Sequence, residues 1–265
     1  MGAESNLPGE AQPSSPIILS LETATRAGGV ALSRGPSVLA SRAGEPQSSH
    51  SSDLLQLTRR ILDEAGVGLS DVELFAAAAG PGSFTGLRIG LATVKAFASS
   101  FARPCAGVPT LHAVALSAGR SDLTLALLPA GRGELFAQLL RVGGDGLVSP
   151  ADEPAHLPPE KLFERVKTIA RLTVAAEGAG AQLEYFEELA EREGITLTRD
   201  GAGANLESGP AVPCAWRVTK TSSLLAESVA ALAHAQFLWG EALPPEDLRA
   251  VYVRLSDAEL NVKWR

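Results

Sequence analysis

A glycine-rich segment at residues 80–86, GPGSFTG, contains the residue types best suited to chemistry in this sequence. It follows an alanine-rich apolar stretch and leads into a predicted amphipathic helix. Free N–H groups at the start of a helix bind anions, and Arg88 lies close enough to assist. The spacing matches neither the dinucleotide-binding pattern G-x-G-x-x-G nor the P-loop, because no lysine follows Gly86 directly. Anion binding is therefore the chemistry that this segment predicts.

The same segment also suits close packing between elements. Gly86 and Gly90 are four residues apart, so they share one face of the predicted helix. A glycine inside a helix costs about 1 kcal/mol relative to alanine, which implies that a neighbouring element needs the space. Ser83 or Thr85 can cap the helix. The residues favour packing over a phosphate site and leave open that both are present.

Other residues test whether the chain is an enzyme by itself. The four histidines are far apart in the sequence, which excludes a helical pair of metal ligands, so no metal site is predicted. A kinase-like ATPase needs a carboxylate after its first strand, and Glu22, with Thr23 beside it, is the candidate for the nucleotide side. Pro129 stands at the equivalent point of the second half and offers neither charge nor N–H. Gly-Ala-Gly at 178–180 is either an adenosine-side turn or an ordinary loop.

Composition limits the class of protein. The 265 residues are 45% hydrophobic, enough for a sizeable core, and carry a formal net charge of -7 with 5% aromatic residues. An acidic chain with few aromatic residues is a poor nucleic-acid binder by itself. Residues 1–15 are predicted to be a disordered tail, neither signal peptide nor membrane anchor. Cys105 and Cys214 are interpreted as buried residues of a reducing compartment, so we expect a cytoplasmic protein.

The predicted elements form two similar series. The first series comprises strands at 16–22, 30–33 and 38–41, a helix at 50–65, a strand at 72–79 and a helix at 85–101. The second comprises strands at 123–128, 134–142 and 146–149, a helix at 159–168, a strand at 172–176 and a helix at 181–193. A helix at 222–239 and a strand-like segment at 250–255 follow. This order predicts an α/β protein with duplicated β-β-β-α-β-α units.

Five motifs resemble the TsaB family, also called YeaZ. They are LETAT after the first strand, HSSDLL, GPGSFTGLRIG, GELF and the near-terminal YVRL. The similarity covers residues 16–263, and its specificity is concentrated in residues 80–90. The resemblance implies the two-lobed, ribonuclease H-like fold of actin-like ATPases, sugar kinases and heat-shock cognate proteins. We expect an N-terminal, partner-binding lobe at 16–115 and a C-terminal lobe at 116–265, whose final helix is free to return to the first lobe.

The resemblance also implies a function. Family members are non-catalytic subunits of the complex that adds threonylcarbamoyl to an adenosine of tRNA, and they bind a TsaD-like transferase, with a TsaE-like ATPase joining them. tRNA contacts would come mainly through the complex, ATP and magnesium would act at the level of the complex, and this chain would hold no cofactor tightly. A homodimer is left open, and no membrane contact is expected. The older description "glycoprotease-like" finds no support in these residues. The alternative is an ATP-binding phosphotransferase or ATPase of the same fold acting alone.

The expected sites follow from the family's first-lobe helices. We expect the partner to contact an outer surface around the two helical glycines, with interface residues Leu54, Leu57, Ile61, Gly86, Gly90 and Val94. The loop and anion-contact candidates are Gly80, Pro81, Gly82, Ser83, Phe84, Thr85 and Arg88. Because the helix dipole disfavours a cation near its start, we expect an acidic side chain of this chain or its partner beside Arg88, and no phosphate.

Two departures from the family pattern affect the nucleotide side. Family members commonly carry Asp-Thr-Ser-Thr where this chain has Glu-Thr-Ala-Thr at 22–25, and Asp-Ala-Arg where it has Pro-Ala-Gly at 129–131. The second change removes an acid and a base. Any contact that these positions make with nucleotide elsewhere in the family is therefore in doubt for this chain.

Overall fold

Two mixed β-sheets with helices on their faces make up the protein, as a computed structural model shows for residues 15–44, 50–200, 215–221 and 224–253. The first sheet has the order β3-β2-β1-β4-β5. Its strands are β1 (Ile17–Glu22), β2 (Gly29–Arg34), β3 (Ser37–Ala43), β4 (Leu74–Gly80) and β5 (Cys105–Pro109). Strands β1, β4 and β5 are parallel, and β2 runs antiparallel to both of its neighbours.

Helices cover both faces of this first sheet, which is why β1 and β4 are buried along their whole length. Alternate residues of β1 point to opposite faces. Leu19 and Leu21 pack with helices α1 (His50–Ala65) and α2 (Phe84–Ser100), whereas Ile18 packs with the final helix, α6 (Leu225–Leu238). A shorter helix, α3 (Thr110–Ser117), follows β5.

The second sheet repeats this topology with the order β11-β12-β10-β6-β7-β8, and β9 also pairs with β7. Its strands are β6 (Ser121–Gly131), β7 (Glu134–Val142), β8 (Val148–Pro150), β9 (Ala155–Leu157), β10 (Arg171–Ala176), β11 (Thr196–Asp200) and β12 (Ala215–Lys220). Helices α4 (Pro159–Val166) and α5 (Gly180–Arg192) accompany it. As in the first sheet, the central strand has an antiparallel neighbour on one side and a parallel one on the other. The predicted duplication is therefore confirmed.

The final helix belongs to the first lobe by its contacts. Val229, Ala230 and Ala233 of α6 pack with residues of β1 and β4. The buried hydroxyl of Ser20, on β1, donates a hydrogen bond to the carbonyl oxygen of Ala226 at 2.7 Å. The chain thus returns to the first sheet after completing the second.

Several elements differ from the sequence predictions. β5, α3, β9, β11 and β12 were not predicted, because they are short or mix polar and apolar residues without a clear period. The strand expected at 250–255 is wrong over its described residues, 250–253, which form no strand. Their backbone instead contacts the first sheet at one point, where Val251 N donates to Ala79 O. Residues 1–14, Cys214, the first two residues of the helix predicted at 222–239, and 254–255 lie outside the described residues.

Candidate functional site

The glycine-rich loop between β4 and α2 packs against the loop that follows β1. Thr23 Oγ1 donates a hydrogen bond to the carbonyl oxygen of Gly86 at 2.8 Å, and Ser83 N donates to Ala24 O at 2.7 Å. Ser83 also caps α2, because its Oγ accepts a hydrogen bond from Gly86 N at 3.2 Å. The end of β1 and the start of α2 are therefore joined by one side-chain and one backbone hydrogen bond.

The helical glycines make this contact possible. A Cβ atom at Gly86 would overlap the carbonyl oxygen of Thr23, and a Cβ at Gly90 would overlap Thr23 Oγ1. At Gly82, the added atom would lie 2.6 Å from Ala24 O. The expectation that Gly86 and Gly90 form an outer surface is therefore wrong: Thr23 of the same chain occupies the space that they leave.

The other residues assigned to a partner interface also point inward. Leu54, Ile61 and Val94 are buried in the core between the first sheet and its helices, and Leu57 is partly buried against that core. These side chains hold α1 and α2 on the sheet, so their assignment to an outer contact surface is wrong. Apolar periodicity finds the buried face of a helix, and a partner must use the opposite face.

The exposed face of the two helices has a different composition. On α2 it consists of Thr85, Arg88, Ala92, Ala96 and Ser99. On α1 it consists of Leu55, Gln56, Arg59, Arg60 and Asp63, with Leu55 exposed over 56% of its surface. This exposed face is predictable from the sequence, because its residues lie opposite the apolar positions that repeat with the helical period. We name the α2 part, residues 85, 88, 92, 96 and 99, the outer face of α2.

A C-terminal segment closes the loop from its other side. Val251 N donates to Ala79 O at 2.7 Å, and a Cβ at Gly80 would overlap Val251 O. Pro81 is buried, and Gly80 N donates to Thr110 Oγ1 at 3.1 Å. The loop is thus contacted by the backbone after β1, by the backbone of the C-terminal segment and by the Thr110 hydroxyl, and its glycines serve that packing.

Arg88 lies over an aromatic ring at the start of α2. Its guanidinium carbon is 3.7 Å from the centroid of Phe84, whose ring centroid is 5.7 Å from that of Tyr252. Within the described residues, no carboxylate pairs with Arg88, and the first turn of α2 has no acidic side chain. The described part of the chain therefore does not supply the acid that we expected beside Arg88.

Glu22 orders the loop that contacts α2. Its Oε1 accepts hydrogen bonds from the backbone N–H of Ala24 at 2.6 Å and of Thr25 at 2.8 Å, and its Oε2 accepts from Thr25 Oγ1 at 2.6 Å. Burial raises the pKa of Glu22; the hydrogen bonds oppose this shift, and the nearby Glu177 carboxylate adds to it. Both oxygens are engaged within the chain, which makes Glu22 a poor carboxylate for orienting magnesium.

In the second lobe, Glu177 follows β10, and the loops that carry Thr221, Pro129 and Gly178 lie near it. Its Oε2 accepts a hydrogen bond from Thr221 Oγ1 at 2.5 Å, and burial raises its pKa. Pro129 is exposed and lies against the backbone of Gly178. The Gly-Ala-Gly segment leads into α5, which has no side-chain cap. Pro129 and Glu177 supply neither a cation nor a side-chain N–H that would bind phosphate at this point.

Cys105, a metal site and a membrane span are the remaining features to place. Burial raises the pKa of the Cys105 thiol to about 11, so this residue behaves as an apolar core side chain and not as a nucleophile. Over the described ranges, no three residues among His, Cys, Asp and Glu come together as a metal site would require. No helix in that part of the chain is both long and apolar enough to cross a membrane.

The fold and this site define a class of protein. Two sheets of duplicated topology, with the turn after β1 packed against α2, are features of the two-lobed fold of actin-like ATPases and sugar kinases.

Comparison with known proteins gives the family. The family model described as TsaD, tRNA N6-adenosine threonylcarbamoyltransferase, matches residues 42–188. The TsaB protein of Escherichia coli K12, named a tRNA threonylcarbamoyladenosine biosynthesis protein, is 32% identical over 183 residues, which are 68% of this chain and 78% of that protein. The structure of YeaZ from Pseudomonas aeruginosa superposes with a TM-score of 0.66 at 29% identity, covering 89% of this chain and 99% of that one.

The chain belongs to the TsaB (YeaZ) family. Similarity to the transferases themselves is local. The tRNA N6-adenosine threonylcarbamoyltransferase of Sphingopyxis alaskensis is 40% identical over 103 residues, which cover 37% of this chain and 29% of that enzyme. The part that this chain shares with that enzyme is therefore a single region of the enzyme.

Packing of Gly90 against Thr23 predicts a pairwise effect on stability. Gly90→Ala should lower the free energy of unfolding by about 1–3 kcal/mol, because the new methyl group overlaps Thr23 Oγ1. In a Thr23→Ala background that atom is absent, so the same change should be neutral or stabilising by up to about 1 kcal/mol. Urea unfolding of the four proteins measures the coupling. Gly86→Ala is the control, since it meets the Thr23 backbone and should destabilise both backgrounds; equal effects of Gly90→Ala in both would refute the contact.

Burial of Glu22 predicts how stability changes with pH. Its folded-state pKa is raised above the ordinary 4.5, so the folded protein binds more protons than the unfolded chain just above that pH. Stability from this group is therefore present below the unfolded pKa and is lost as pH rises through the folded pKa. Glu22→Gln should remove this loss in urea unfolding between about pH 4 and pH 8. Burial also raises the pKa of Glu177, so Glu177 changes stability in the same direction in the unmodified protein and in the Glu22→Gln variant. Identical pH profiles of these two proteins would contradict the raised pKa of Glu22.

Proposed function

We propose that this chain is a non-catalytic subunit in tRNA threonylcarbamoyladenosine biosynthesis that binds and activates a TsaD-like transferase. The observation that carries the proposal is the outer face of α2, where Ala92 and Ala96 are exposed on a helix anchored rigidly by Gly86 and Gly90. Small side chains let a second helix approach closely, and a fixed backbone lowers the entropy cost of docking. The name of the E. coli relative and the match to the TsaD model support the choice of partner.

The rest of the complex follows from the same proposal. A TsaE-like ATPase would join the pair, and ATP and magnesium would act there. The formal net charge of -7 makes this chain a weak partner for tRNA, so the transferase would hold the tRNA. This chain would then contribute binding energy and orientation to the transferase, and the assembly would work in the cytoplasm.

Ala92→Arg tests the outer face of α2. The change places a long cation on an exposed helical position, so the free chain should stay folded, while binding to the TsaD-like subunit should weaken roughly tenfold or more. Co-purification of the two subunits and calorimetric titration measure this effect.

Ala231→Arg is the matched control for Ala92→Arg. Ala231 is also an exposed alanine within a helix, but it lies on α6, on the opposite face of the first sheet. The Ala231→Arg variant should bind the transferase with the same affinity as the unmodified chain. Binding that Ala92→Arg leaves unchanged would reject this face of α2 as the docking surface.

The second candidate is an ATPase or phosphotransferase of the same fold, and a carboxylate after the first strand is the observation that favours it. Because both oxygens of Glu22 are bound within its own loop, we expect the purified chain to release no phosphate from magnesium-ATP above a protein-free blank. Magnesium-dependent turnover that Glu22→Gln abolishes would reverse the choice between the two candidates.

A further inference from the structure

Arg88, Phe84 and Tyr252 form an exposed stack at the start of α2, which we name the Arg88 stack. The guanidinium carbon lies 3.7 Å from the Phe84 centroid, and the two aromatic centroids are 5.7 Å apart. Phe84 is 37% exposed, Tyr252 is 51% exposed, and Arg88 is exposed as well. Arginine and tyrosine that are ordered before binding lose little conformational entropy on contact, so they often dominate the energy of an interface.

Arg88 carries a charge that its described surroundings do not balance. One face of the guanidinium lies on the Phe84 ring, which leaves its N–H edge available for a carboxylate. No carboxylate in the described ranges pairs with it. The positive end of the α2 dipole, with no acid in its first turn, adds to the local potential. An acidic group brought by another molecule would be attracted to this point.

Tyr252 reaches the stack from a part of the chain far from α2 in sequence. Leu243 and Cys105 exchange backbone hydrogen bonds of 2.8 and 2.7 Å, Leu248 is buried in the core, and Val251 N donates to Ala79 O. These contacts anchor the C-terminal segment, residues 243–252, beside the glycine-rich loop. Two distant regions of the sequence therefore build one surface.

The Arg88 stack is continuous with the outer face of α2. Arg88 and Ala92 are one turn apart on the same exposed side of the helix. A helix docked on Ala92 and Ala96 would extend past Arg88 at the start of α2. The stack thus adds a charged and aromatic end to a surface that otherwise consists of small side chains.

We propose that the Arg88 stack binds an acidic side chain of the partner subunit, with the carboxylate on the guanidinium edge and its apolar stem against Tyr252. This inference rests on the proposed function, because it names a second contact on the same surface. A single carboxylate suits this site better than RNA does, since the chain carries a formal net charge of -7 and the stack offers one cation.

Affinity for the TsaD-like subunit, measured by titration calorimetry with the full chain, tests the proposal. Arg88→Ala and Tyr252→Ala should each weaken binding roughly tenfold, and Arg88→Glu should weaken it further by charge repulsion. Arg88→Lys should recover only part of the loss, because lysine keeps the charge but not the planar, bidentate contact. Raising the salt concentration should weaken the unmodified pair more than the Arg88→Ala pair.

The controls are Arg141→Glu and Tyr185→Ala, which change an exposed arginine and an exposed tyrosine of the second lobe. Both should bind normally, and thermal melts should show that every variant is folded. If the unmodified chain does not bind the transferase, the proposed function itself fails. If it binds, and Ala92→Arg weakens it but Arg88→Glu does not, only the present inference fails. Unchanged binding by Arg88→Ala with reduced tRNA retention by the complex would overturn the inference in favour of RNA.

Discussion

The contact between Thr23 and the glycines of α2 is the constraint on which the first lobe depends. β1 and β4 are parallel neighbours, so their carboxyl ends release two loops at the same edge of the sheet. The two segments fit together only because Gly86 and Gly90 have no side chains. The space that a Cβ atom would need is occupied by the Thr23 carbonyl and hydroxyl groups. Within this buried contact, Thr23 Oγ1 donates a hydrogen bond to Gly86 O, so these two polar atoms are paired. The orientation of α2, and with it the composition of the outer face, follows from this contact.

Glu22 supports the same contact electrostatically. A buried carboxylate is costly unless several donors surround it, and here two backbone N–H groups and one hydroxyl hold the residues that reach α2. Because the backbone N–H groups of Ala24 and Thr25 bond to Glu22, the turn after β1 is held in the shape that packs against α2.

How much could be predicted from the sequence varied with the range of the interaction. The duplicated order of strands and helices was predictable, because apolar runs and helical periods are local properties. The GPGSFTG motif indicated close packing from residue type and spacing alone. Its contact with Thr23 could not be derived, since it joins loops that follow different strands. The inward direction of Leu54, Ile61 and Val94 follows from their period, whereas the interface expected from the family resemblance places the same residues on the surface.

Duplication provides an internal comparison for the outer face of α2. In the second lobe, α5 occupies the position that α2 occupies in the first, after the strand parallel to the central one. Its exposed side carries Glu184, Glu188 and Glu191, with Arg192 beside Glu188, whereas α2 exposes Ala92 and Ala96. Two helices with the same place in the repeated unit thus have opposite surface chemistry. Packing on the sheet constrains both helices equally, so it does not explain the difference. The proposed partner, docking on the first lobe only, would account for the difference.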